Sequence, residues 1–227
     1  MTELTVLRVF IGPDGRGGNP LGVFLDGGAF PPERRQAVAL DLNFSETVFV
    51  DDREDGRVRI FTPTRELPFA GHPSVGTSWL LHETGTPITV LRPPAGDVPV
   101  RRDADRTWVT ADPAWVSHAF RFDRLDSLEA VEEFDPPQLG QPGIYVWAWI
   151  DEPAGELRSR CFPTDFGIVE DEATGLAAVM LGGQLRRPLT IRQGVGSEII
   201  VRPQPDGMVE IGGLVELVER RPYDDQG

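Results

Sequence analysis

Lysine is absent from these 227 residues: all 22 basic side chains are arginine, set against 36 Asp and Glu for a formal net charge of -14. That balance excludes the usual binders of nucleic acid and anionic membranes, whose affinity comes from basic contacts with phosphate. It also means that an acidic ligand has to be held by local arginines or by free N–H groups at helix N-termini. Cysteine is nearly absent. Cys161 stands alone, so no intrachain disulfide and no cysteine-pair chemistry are available. The three histidines, His72, His82 and His118, lack metal-ligand spacing, and no metal is expected. A G-x-S-x-G elbow is missing, which removes the serine-hydrolase reading. The glycines between Gly12 and Pro20 are followed by no Lys-Ser/Thr and lead into a strand pattern, so they make a poor phosphate loop. No run reaches the length of a membrane span, and M-T-E-L-T-V-L-R at the start lacks the basic and apolar regions of a signal peptide. The expectation is a cytoplasmic protein with neither nucleic-acid nor membrane partners.

What is present is ordinary for a globular chain, with 40% hydrophobic and 26% charged residues. The length allows one large domain or two of roughly 100 residues, each able to bury a core. The organising stretch is residues 58–81, a short strand, a proline-punctuated loop, and then a segment, 74–81, without a charged residue on any face. A helix without a charged face is a buried helix. Pro73 suits the first helical position and places Gly71 and His72 at the helix mouth, where free N–H groups make an anion site.

The same order returns from Phe162 onward: a strand end, the loop P-T-D-F-G-I-V-E-D-E-A-T-G, and a small-residue helix over 173–181. Phe61 and Phe162 are 101 positions apart, too long a period for a solenoid and right for a duplicated domain. The expected architecture is α+β, with two similar domains, 1–114 and 115–227, joined by a crossover over 111–118. Each wraps short strands around one buried helix, and the two helix N-termini face one another across a cleft. Residues 4–11, 21–26, 44–50, 57–61, 144–150 and 157–162 read as strands, 32–42 and the acidic 123–134 as helical, and 12–20 as a loop.

Several residues carry two readings at once. Alternation over 44–50 puts Glu46 on an apolar face with Phe44, Val48 and Val50, where it suits a general acid or base; the plain alternative is a strand-end carboxylate turned to solvent. His72 either donates a hydrogen bond or proton in the cleft or caps the buried helix. Asp171 either positions a proton or is held by the dipole of the helix that follows. Gln193 and Gly194, like Asn19 in Gly18-Asn19-Pro20, bring backbone close to a ligand or make ordinary turns.

Five stretches carry a resemblance: V-F-I-G-P-D-G-R-G-G-N-P-L-G-V-F-L-D, F-S-E-T-V-F-V, I-F-T-P-T-R-E-L-P-F-A-G-H-P-S, F-G-I-V-E-D-E-A-T-G and R-Q-G-V-G-S. In this order and over nearly the whole chain, they resemble the phenazine-biosynthesis PhzF-like family, relatives of diaminopimelate epimerase. The resemblance implies two barrel-like, mostly antiparallel sheets, each around a central buried helix, with the active site between them. It implies a cofactor-free isomerase or epimerase, working as a homodimer on a small amino-acid-derived substrate, of the kind found in secondary-metabolite and antibiotic biosynthesis. Glu46 matches the family's catalytic glutamate, with His72 and Asp171 beside it, and Ser45 and Gly71 match substrate-site positions. Asn19, Pro73, Ser74, Thr174, Gly175, Gln193 and Gly194 complete the expected substrate-binding set. The chain departs from the pattern at Glu172, where a proline is usual, at Leu176 in place of a serine, and at Ser197 in place of an arginine. These departures keep open an epimerase of a small amino acid, or an idle relative that only binds a metabolite. The lone Cys161 disfavours a racemase built on paired thiols, and Glu46 with His72 disfavours idleness.

Overall fold

A computed structural model describes residues 2–115 and 120–224, so the expected crossover over 111–118 lies partly outside the described residues. Two strands, β1 (Thr2–Ile11) and β2 (Gly17–Phe24), open the chain as an antiparallel pair. Helix α1 (Pro32–Leu42) returns the chain to β3 (Glu46–Asp52), which lies parallel to β2, as a crossover through a helix allows. β4 (Arg57–Phe61) folds back on β3, and β5 (Glu66–Leu67) leads into α2 (Gly71–Glu83). Three antiparallel neighbours follow: β6 (Val90–Leu91), β7 (Val98–Asp103) and β8 (Arg106–Ala111).

The second half repeats this order. β9 (Arg121–Arg124), α3 (Leu128–Glu132) and a parallel β10 (Ile144–Asp151) precede β11 (Glu156–Phe162) and α4 (Gly175–Leu185). β12 (Leu189–Gln193), β13 (Ser197–Pro203) and β14 (Val209–Tyr223) complete the chain. The unit of strand, helix, parallel strand, antiparallel strand and buried helix therefore occurs twice. This is an α+β fold of two similar lobes, mostly antiparallel, each with one central helix.

Around α2 the first lobe closes into a ring where Arg57 bridges Arg92: the Val58 N–H donates to the Arg92 carbonyl at 3.2 Å, and the Arg92 N–H to the Gly56 carbonyl at 2.7 Å. Strand β14 ties the lobes together. Its residues 209–213 pair with β8 and β13, and its residues 214–223 pair with β1. A domain boundary near residue 114 would follow β8, and β14 runs across it. Among the described residues no helix is long and apolar enough to cross a membrane.

Both faces of the sheet are covered at the strands beside α1 and α3. Val48 and Val50 of β3 point into the main core with Val75 and Leu80 of α2, while Phe49 points outward into a second cluster with Phe24, Phe30 and Val38 under α1. In the other lobe Tyr145 and Trp147 face inward, and Ile144, Val146 and Ala148 pack outward with Val131 of α3. Two-sided burial explains why these strands carry so few polar residues. Phe44 was expected beside Glu46, but it precedes β3 and packs against the outer cluster. The acidic stretch 123–134 is helical only over α3; its first residues continue β9, because Phe122 packs on Tyr145 at 5.3 Å between ring centroids. Residues 12–20 are less of a loop than expected, since pairing with β1 starts at Gly17 and Asn19 lies opposite Val9.

The two buried helices touch at their starts. A methyl group at Gly71 would come within 2.7 Å of the Gly175 backbone, and one at Gly175 within 2.8 Å of the His72 nitrogen. Gly71→Ala and Gly175→Ala are therefore expected to destabilise the protein by about 1–3 kcal/mol, the usual range for overpacking. Gly28→Ala, which meets nothing within 4 Å, should stay within about 0.5 kcal/mol of wild type. Urea denaturation of the three variants checks this; equal midpoints would show that the helix starts are not held in contact.

Candidate active site

The sequence starts both helices with small residues and no side-chain cap. Ala70 caps α2 and Thr174 caps α4, neither makes a side-chain cap hydrogen bond, and neither helix has an acidic residue in its first turn. The first-turn N–H groups, with the positive end of each helix dipole, therefore remain available where the two starts meet. Pro73 is not the first helical residue. The Ser74 N–H already donates to the Ala70 carbonyl at 3.2 Å, so α2 begins at Gly71 and Pro73 is its third residue, where a missing N–H is still no loss. Likewise α4 starts at Gly175 rather than at 173, and the helix starts are in contact instead of facing one another across a gap.

Beside this junction lies a pocket whose walls come from both lobes. Glu46, Gly71, His72, Asp171, Thr174 and Gly175 line it, together with apolar side chains that include Phe120, Phe166 and Leu176. Glu46 is the first residue of β3 and points inward with Val48 and Val50; its side chain keeps only 14% exposure. Burial pushes its carboxyl up to about 8, the charge of Asp171 adds to the rise, and a hydrogen bond from Ser45 opposes it. His72, in the first turn of α2, is driven the other way. Burial lowers it to about 3, against a hydrogen bond to the Pro20 backbone, so the ring is neutral at physiological pH.

The two side chains address each other. Nε2 of His72 lies 3.4 Å from Oε2 of Glu46, and neither atom has another hydrogen-bond partner. With Pro20 taking the proton on Nδ1, Nε2 presents a lone pair to a carboxyl that is itself protonated. The separation is long for a hydrogen bond, and such contacts tighten when a ligand fills the site.

Asp171 comes from the other lobe and is held at both oxygens. Asn19 Nδ2 donates to Oδ1 at 2.6 Å, and Thr174 Oγ1 donates to Oδ2 at 2.5 Å. Burial raises its carboxyl to about 6 despite these two bonds. Burial thus raises both carboxyls, and the charge of Asp171 adds to the rise at Glu46. Behind Asp171 the chain of contacts continues. Gln193 Nε2 donates to the Asp171 carbonyl and to Thr174 Oγ1, both at 2.8 Å, its Oε1 accepts from the Thr174 N–H at 3.2 Å, and Ser45 Oγ donates to Asn19 Oδ1 at 3.1 Å.

Six expected binding residues thus lie behind or beside the pocket wall instead of lining it. Asn19, Ser45 and Gln193 position Asp171 and Thr174. Pro73 and Ser74 are buried inside α2, where Ser74 Oγ donates to the Ala70 carbonyl at 2.8 Å. Gly194 takes φ 58° in a turn pinned by Glu172, which accepts from the Val195 N–H and from Ser197 Oγ. The unusual Glu172 and Ser197 are therefore partners in one turn. Sequence reasoning missed Thr62, Leu67, Phe120 and Phe166 as wall residues. Thr62 had a signal, since F-T-P at 61–63 returns as F-P-T at 162–164, whereas the apolar wall looks like any core in sequence. Among the described residues no three His, Cys, Asp or Glu side chains are placed to hold a metal ion.

A model of the family described as phenazine biosynthesis-like protein matches residues 12–131. Trans-2,3-dihydro-3-hydroxyanthranilate isomerase of Pseudomonas fluorescens is 32% identical over 250 residues, covering 88% of this chain and 89% of the relative. A crystal structure of a PhzF-family phenazine biosynthesis protein from Bacillus anthracis shares the fold, with a TM-score of 0.79 at 18% identity over 97% of this chain and 98% of that one. A predicted epimerase from Pseudomonas aeruginosa gives 0.74 at 26% identity, over 98% and 99%. Fold and relatives together define the class: an isomerase on the two-lobed, epimerase-like fold. The chain belongs to the phenazine biosynthesis-like protein family.

The raised carboxyl of Glu46 has a consequence for stability. Its folded pKa lies above the unfolded value of 4.5, so the contribution is complete below that value and is lost as pH rises through about 8. Glu46→Gln removes this titration. Its melting temperature should exceed that of wild type at pH 8, with the difference shrinking toward pH 4.5; parallel curves for the two proteins would mean that Glu46 ionises as an ordinary surface glutamate does.

Proposed function

We propose that this protein shifts a double bond in a small amino-acid-derived substrate by moving one proton between two carbons, with Glu46 as the carrier and no cofactor. The observation that carries the reading is the Glu46 carboxyl itself, buried on the pocket wall with Oε2 free of any partner but the His72 ring. As a carboxylate it takes a proton from carbon, and the electron pair left behind moves into the adjoining π-system. As the acid it returns the proton at the far end of that system, and the enzyme is restored. A pKa near neutrality serves both halves, because the base is stronger than an ordinary glutamate and the acid is populated at working pH. His72 orients the carboxyl through Nε2, and the paired helix starts at Gly71 and Gly175 stabilise negative charge that develops on the substrate. Asp171 fixes the wall opposite, and its charge adds to the burial that raises the Glu46 pKa until acid and carboxylate are both populated near neutrality.

The name of the Pseudomonas fluorescens relative supports the choice of a small amino-acid-derived substrate and a place in secondary metabolism. The same reading includes a homodimer in the cytoplasm and two domains divided near residue 114. An epimerase would need a second proton carrier opposite the first. Asp171 lines the same pocket, but both its oxygens already accept hydrogen bonds, which favours the single-carrier isomerase.

With trans-2,3-dihydro-3-hydroxyanthranilate as the trial substrate in deuterium oxide, wild type should form product carrying solvent deuterium or internally returned hydrogen at the new position. Glu46→Gln should fold normally and lose about two to four orders of magnitude in turnover, and His72→Asn should lose less. A glutamine variant that turns over at close to the wild-type rate would remove Glu46 from the chemistry.

A further inference from the structure

We propose that Arg65 is a substrate-binding residue that holds a carboxylate of the ligand at the mouth of the pocket, an inference that rests on reading this pocket as the active site. Arg65 sits in the turn between β4 and β5, flanked by Thr62 and Leu67, both of which line the pocket. The turn is fixed: the Arg65 N–H donates to Thr62 Oγ1 at 3.0 Å, and the Thr62 N–H donates to the Arg65 carbonyl at 2.8 Å. From there the guanidinium crosses to the other lobe and lies 3.9 Å above the ring of Phe166, another wall residue.

Two observations draw attention to Arg65. Arg35, Arg57, Arg59 and Arg92 of the same lobe all lie within salt-bridge distance of carboxylates, whereas Arg65, among the described residues, has no such partner. Arg53, Arg187 and Arg202 also rest on backbone carbonyls or ring faces instead of carboxylates, but Arg65 has neighbours, Thr62, Leu67 and Phe166, that line the pocket. Moreover, no arginine is among the residues that line the pocket, whose titratable wall is Glu46, His72 and Asp171. An anionic ligand approaching a protein of net charge -14 is opposed by the overall field, which a cation at the rim offsets.

The stack also prepares the guanidinium for a carboxylate. Contact with the Phe166 face uses the π-surface of the planar group and leaves its in-plane N–H donors free for a bidentate pair.

Calorimetric titration with benzoate and with benzamide, its neutral counterpart of the same size, tests the proposal. Wild type should bind benzoate about ten-fold or more tightly than benzamide, as charge-assisted hydrogen bonds imply, and the preference should shrink at high salt. Arg65→Gln should abolish the preference while melting as wild type does, and Arg65→Lys should keep part of it, having the charge without the fork. Survival of the preference in Arg65→Gln would overturn the proposal. So would equal weakening of both ligands, which would mark a structural stack, or a wild type that binds benzoate no better than benzamide or not at all. Glu46→Gln should retain the preference, so loss of the proton-transfer reading and loss of the Arg65 reading give different results.

Discussion

Two helix starts in backbone contact, Gly71 on Gly175, set the geometry of everything around the pocket. Neither position tolerates a side chain, and neither helix carries a cap or an acidic residue in its first turn. What would be an electrostatic liability in an isolated helix becomes a shared positive focus at the junction of two lobes. The strands packed around α2 and α4, joined through β14, serve to hold that contact in place.

Burial then divides the labour among three titratable groups. Glu46 and His72 are both desolvated, and the same cause raises one and lowers the other, so each is neutral at physiological pH. Asp171 is also desolvated but receives donors from Asn19 and Thr174, which hold it closer to the ordinary carboxylate range. Since Asn19 belongs to one lobe and Thr174 to the other, the arrangement of the lobes itself separates the two carboxyls. A residue network spanning 152 positions in sequence thereby decides which carboxyl keeps a proton.

Much of this was legible in the residues. Helix α1 occupies the span that its spacing marks, and the uncharged segments after residues 70 and 172 announce buried helices because no face of either suits water. Alternation through Val48 and Val50 turned Glu46 inward, and the return of a similar segment after Phe162 signalled the duplication. The register of α2 was not legible, because a proline is equally harmless at the first and third helical positions. Nor could local pattern tell that Asn19 and Gln193, good turn residues both, would spend their side chains on Asp171 and Thr174; that depends on contacts across the lobes. Phe166 and Arg65 escaped notice for the same reason, as their stack joins segments about a hundred residues apart.

The central claim is that the fold keeps one carboxyl, that of Glu46, protonated in the pocket at neutral pH. Carbon-13 NMR of protein labelled at glutamate carboxyls, with Glu46→Gln to assign the resonance, measures this directly. The account predicts a Glu46 signal that titrates near 8, far above the ordinary value of 4.5, and does so with the His72 ring neutral throughout. A Glu46 resonance that titrates in the ordinary carboxylate range would contradict it.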